Sequence, residues 1–178
     1  MIVIAIPRED VAEGLGDTFC AMYGARHRQI PKPCLMWEDL YDQVGGIGFR
    51  AVLDGHVAGQ LIYMPKTAAR RICLPICPTR EAEATTFLVA CLLVFREFRR
   101  QGVASALVRS LIEFAQAHDY HRIEANVSLE LPSDADLEHI SYLPFKLAGF
   151  VIDETSIVHG DECGPYYVGN RMCYYTVR

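Results

Sequence analysis

Within a few residues of one another stand Arg99, Arg100, Gln101 and Gly102, and residue types in that order suit the binding of an anion. Upstream, Ala90 to Phe95 is a continuous apolar run of strand length. Downstream, Val103, Leu107, Leu111, Phe114 and Ala115 fall on one helical stripe. A strand, a glycine turn and a helix start leave backbone N–H groups unpaired at the positive end of the helix dipole. Two arginines beside such an end make it a phosphate-binding element. A solvated basic turn, with a glycine needed only for packing, is the plainer alternative.

Two glycine-rich phosphate loops can be excluded by inspection. A P-loop needs Lys and then Ser or Thr after its last glycine, but Gly102 is followed by Val103 and Ala104. A dinucleotide fingerprint needs three spaced glycines, and only Gly102 is present. The remaining pattern, Arg99-x-x-Gly102-x-Ala104 after a hydrophobic strand, resembles the Gln/Arg-x-x-Gly-x-Gly/Ala motif of the GNAT superfamily of N-acyltransferases. Leu147-Ala148-Gly149-Phe150 is similar to that family's Leu-Gly-Phe helix end. The resemblance implies a GNAT-like α+β (mixed α/β) fold, with a mostly antiparallel twisted sheet of about seven strands and flanking helices. It implies acetyl-CoA as co-substrate. The amides of Arg99, Arg100, Gln101, Gly102, Val103, Ala104 and Ser105 would wrap its pyrophosphate, and Leu92, Leu93 and Val94 would bond its pantetheine arm.

The implied chemistry is direct attack of an acceptor amine on the acetyl thioester, and it has three needs. A lysine-like amine has a pKa near 10.4, so a base or water chain must take its proton. The oxyanion needs a donor, which the resemblance assigns to the N–H of Leu93 or Val94. The leaving thiolate, near pKa 8.5 like free cysteine, needs an acid. The family's tyrosine acid stands five residues before the final Phe, and here that place is Phe145. Tyr142, one turn earlier, is the substitute, or else a core aromatic. The family's strand glutamate is replaced by Asn126, which can bond an acceptor but takes no proton. Glu124, two residues earlier on the same strand face, is the candidate base, or a solvated carboxylate. Cys91 reads as a core thiol. A catalytically degenerate acyl-CoA binder and an interaction protein with this fold are the competing functions.

The bulk properties fit. The 178 residues suffice for one domain, taken as 1–178, and 51% hydrophobic with 22% charged residues is globular. A net charge of −5 argues against a nucleic-acid partner. No apolar run approaches a membrane span, and Met1 to Ile6 lacks the basic start of a signal peptide, so a cytoplasmic enzyme is expected. Seven cysteines without a Cys-x-x-Cys pair suggest reduced thiols and no metal. The acceptor would be a small molecule or a peptide, and pairing into a homodimer is open.

The elements that must position these groups follow in order. Residues 2–6 suggest a strand, and Pro7 opens a helix carrying Val11, Leu15 and Phe19. Residues 24–34 read as a loop, followed by a helix with Trp37, Leu40, Tyr41 and Val44. Ile47 to Leu53 and Val57 to Met64 flank Asp54-Gly55, a tight-hairpin signal. Residues 65–84, with Lys66, Arg70, Arg71 and Arg80, read as an irregular solvated basic arm. Strand 85–95, helix 101–118 and strand 122–127 follow. A helix is expected from Asp134, with Ile140 and Ser141 inside and Pro144 kinking or ending it. Residues 150–158 and 166–177 complete the sheet.

Overall fold

A computed structural model describes residues 1–12, 33–69, 84–129, 140–157 and 171–178. Among them run β1 (Ile2–Ala5), α1 (Arg8–Ala12), α2 (Pro33–Val44), β2 (Gly48–Leu53), β3 (His56–Pro65), α3 (Lys66–Ala69) and β4 (Thr86–Val94). A 3-10 turn at Arg96–Phe98 leads to α4 (Val103–Ala117), β5 (Arg122–Val127), α5 (Leu143–Leu147), β6 (Val151–Ile157) and β7 (Arg171–Thr176). The strands form one sheet in the order β1-β2-β3-β4-β5-β7-β6, and only β4 and β5 run parallel. This is the mostly antiparallel α+β sheet expected from the sequence.

The β2–β3 turn holds Asp54 and Gly55 at φ 51° and 81°, the left-handed pair a two-residue hairpin requires. Alternation along the strands then sorts the core. One face packs Leu61, Tyr63, Phe87, Val89, Ile123, Ala125 and Val127 against the apolar stripe of α4 and against Phe145. The other buries Ile62, Met64, Leu88, Cys91, Leu93 and Met172 with Val11 and Leu40 from α1 and α2. Gly59 lets the first face close: a Cβ there would lie 2.6 Å from Leu93 O and 3.1 Å from Val103 Cγ1, at the start of α4.

Four expectations are corrected. Helix α2 begins at Pro33 rather than after residue 34, because proline is well suited to a first helical turn. Pro144 likewise opens a helix, α5, instead of kinking or ending one. Ile140 and Ser141 are extended: Ser128 N–H donates to Ile140 O (2.8 Å), and Ser141 bridges Ser128. Lys66 is no part of a solvated arm, since it is buried at 1% exposure. The rest of the first helix, Arg70, Arg71, Arg80, the helix from Asp134 and residues 158–170 lie outside the described residues.

Burial raises the Cys91 and Cys173 thiols from about 9 to about 12, and burial raises Tyr63 in the same direction. Each folded-state value exceeds the unfolded one, so the stabilisation is complete below about pH 9 and is lost as pH climbs toward 12. Denaturant titrations across this range are expected to show falling stability, with a shallower fall in Cys91→Ala.

Candidate active site

The strand-to-helix junction was expected to offer free amides, and most of them are free. Arg99 is the exception, because its N–H closes the 3-10 turn onto Arg96 O (3.3 Å). Its side chain folds back so that Nε donates to Val94 O at 3.4 Å. Among the described residues, the N–H groups of Arg100, Gln101, Gly102, Val103, Ala104 and Ser105 make no backbone hydrogen bond, whereas Ala106 N–H begins the helical ladder on Gly102 O (3.0 Å). Gly102 has φ 80°, and a Cβ built on it meets nothing within 4 Å. The loop is shaped by its own anchors, including Gln101 Nε2 donating to Glu97 O (3.0 Å).

Beside this loop the sheet divides. Strands β4 and β5 pair from Thr86/Arg122 to Val89/Ala125, and both continue beyond that point without pairing. A register shift opposite Ile62 and Tyr63 marks the same level of β4 on its other edge. Phe95 N–H donates to Ala58 O (3.0 Å), so alternation turns the backbone of Cys91 and Leu93 toward β3. The backbone groups of Leu92 and Val94 then face the gap. Of the two oxyanion donors weighed from the sequence, Leu93 is committed to β3 and Val94 opens on the cleft.

On the face shared with α1 and α2, β5 presents Arg122, Glu124 and Asn126. Glu124 is neither solvated nor free, at 1% exposure. Arg122 Nε donates to its Oε1 at 2.6 Å. Lys66 Nζ lies 2.7 Å from Oε2, an ion pair off the hydrogen-bonding direction. Arg122 also stacks its guanidinium 3.8 Å above the Tyr174 ring. Asn126 is two residues nearer the cleft, buried, with neither Oδ1 nor Nδ2 partnered. Gln60 lies on the same face opposite Leu93, and its Nε2 is also unpartnered.

Tyr142 sits at the end of β5, where its N–H donates to Ser128 O (3.1 Å) and its hydroxyl donates to Phe150 O (2.9 Å). Burial, with a smaller contribution from Cys173, raises its phenol above the ordinary range, so it stays protonated at neutral pH. Phe145 is wholly buried, edge-on to Phe150. The sequence reading missed Lys66 and Gln60. Nothing local marks either, since each gains its meaning from a partner on a distant strand. Among the described residues no cluster of His, Cys, Asp and Glu could hold a metal.

A divided parallel pair beside a free-amide loop is the geometry of an acyl-CoA site, and the Acetyltransferase (GNAT) family matches residues 13–134. The chain belongs to the GNAT acetyltransferase family. No curated protein sequence matches it significantly. Among solved structures, ribosomal-protein-alanine N-acetyltransferase from Brucella melitensis superposes with a TM-score of 0.61 at 13% identity, covering 99% of each chain. Aminoglycoside 6'-acetyltransferase type Ii gives 0.63 at 15%, covering 100% of this chain and 98% of the other. The yncA protein of Salmonella typhimurium, solved with its cofactor acetyl-CoA, gives 0.65 at 12%, covering 100% and 94%. These likenesses establish the fold. Acetyl-CoA is the family's co-substrate, and the free amides of 100–105 with the cleft beside Val94 fit it.

Gly102 tests the loop, with Gly55 as a control at the same φ and with the same open surroundings. Gly102→Leu and Gly55→Leu should each lose about 1–2 kcal/mol to left-handed strain. Calorimetry should find acetyl-CoA binding weakened at least tenfold in Gly102→Leu and unchanged in Gly55→Leu.

Proposed function

We propose that this GNAT acetyltransferase transfers the acetyl group of acetyl-CoA directly to an amine, on a small molecule or a peptide. The observation that supports this most is the parting of β4 from β5 beside six unbonded loop amides. Arg100 to Ser105 would hold the pyrophosphate, with Arg99 bracing the loop through Val94 O. Leu92 and Val94 would bond the pantetheine arm, and Val94 N–H would stabilise negative charge on the acetyl oxygen. Leu93 would line the arm's path through its position on the strand rather than through its amide.

Tyr142 is the proposed acid for the leaving thiolate. It keeps its proton and stands at the end of β5, although it must exchange its bond to Phe150 O for one to sulfur. Asn126 would bind the acceptor. Glu124 was weighed as the base; bracketed by Lys66 and Arg122, it is instead proposed to shape the floor of the acceptor face. The same reading takes 1–178 as one domain of a cytoplasmic enzyme, with no nucleic-acid or membrane partner, working alone or as a homodimer.

Phe145 favours a second reading, an acyl-CoA binder with little chemistry, because the family's tyrosine position holds no proton. Release of free CoA thiol, assayed with a panel of amines, separates the two. Acceptor-dependent release is expected, and binding of acetyl-CoA without release would leave only the second. Tyr142→Phe should slow release about 10²-fold; a wild-type rate removes Tyr142 from the mechanism.

A further inference from the structure

The acceptor face holds a carboxylate that is occupied and a carboxamide that is not. Glu124 has one oxygen on Arg122 and the other against Lys66, all three groups largely buried. Both of its oxygens are thus engaged by buried cations, and parting such a pair is costly. Asn126 shares its face, lies closer to the cleft, is 6% exposed, and has no partner for either polar atom. An unmet buried polar group costs about 1–3 kcal/mol, which a bound ligand can recover. Asn126 Oδ1 can accept an N–H, yet a carboxamide cannot take up a proton.

We propose that the acceptor is bound as its free base, hydrogen-bonded to Asn126 and not deprotonated by Glu124, so that weakly basic amines such as α-amines are selected over the ε-amine of lysine. This rests on the acetyl-transfer reading above. The nitrogen lone pair forms the new C–N bond while the C–S bond breaks with its electrons left on sulfur. Overall one proton passes from nitrogen to sulfur, giving amide and thiol with no further reactant.

Among the described residues, the other titratable groups near Asn126 are neutral, engaged or a strand away. On β4, the Cys91 thiol is pushed up to about 12 and stays neutral. On β7, Tyr174 lies under Arg122, and Arg171 pairs with Val127 in the ladder. On β6, buried Asp153 has an interaction of its own and is separated from β5 by the whole of β7. From the helix layer, Asp10 is bonded to Arg50 and Asp42 to Arg8.

An α-amine titrates near 8 and the lysine ε-amine near 10.4, so at pH 7 their free-base fractions differ roughly 300-fold. The experiment follows thiol release by the wild-type protein between pH 6 and 9 at saturating acetyl-CoA, with a dipeptide amide and with Nα-blocked lysine amide. The expected kcat/KM favours the α-amine by about that factor at pH 7, levelling off near pH 8 for it while still rising for the ε-amine. A break at one shared pH for both acceptors, or a preference for the ε-amine at pH 7, overturns the proposal alone. Acetyl-CoA binding with transfer to no amine overturns it together with the acetyl-transfer reading. Asn126→Ala should raise the acceptor KM at least tenfold and leave the acetyl-CoA KM unchanged; an unchanged acceptor KM removes Asn126 from recognition.

Discussion

Four residue pairs hold β4 to β5, and the site depends on the ladder stopping there. Parallel strands must be joined by a crossover, and α4 supplies it, so the helix begins above the carboxyl end of β4. Ligands of parallel strand pairs collect at such ends, where strands diverge and helix amides point outward. Here three features coincide: a gap between strands, backbone groups of Leu92 and Val94 turned into it, and six amides with no protein partner. Had β5 stayed paired to its last residue, the same register would carry the ladder on to Cys91 opposite Val127 and close the lower part of the gap.

What could be read from the sequence was whatever local chemistry dictates. Asp54-Gly55 admits one kind of turn, the stripe from Val103 to Ala115 has one helical period, and the glycine of the basic loop needed its positive φ. Pro144 shows the limit of that reading, since proline ends one helix and starts another with equal ease. Neighbours do not resolve the choice; the pairing of Ser128 with Ser141 does. Glu124 was placed on the correct strand face, but its environment depends on Lys66 at the end of β3. No periodicity links them. The family match itself ends at residue 134, so Tyr142 and Phe145 are placed by the fold.

The group of Arg122, Glu124 and Lys66 carries one more positive than negative charge in a buried place. Such groups seldom add much stability over apolar packing, because desolvation offsets attraction. Stacking of Arg122 on Tyr174 softens that penalty for one cation. The arrangement ties the chain just after β3 to β5 and β7, two residues below Asn126.

Gly59 ties the core to the cofactor loop in another way. With no side chain there, Val103 can rest on β3 and the first turn of α4 sits low over the sheet. The depth at which the diphosphate would ride above β4 is thus fixed by a missing methyl group on the neighbouring strand, β3. Tuning the grip on coenzyme A in this scaffold means adjusting the floor beneath the helix as well as the loop itself.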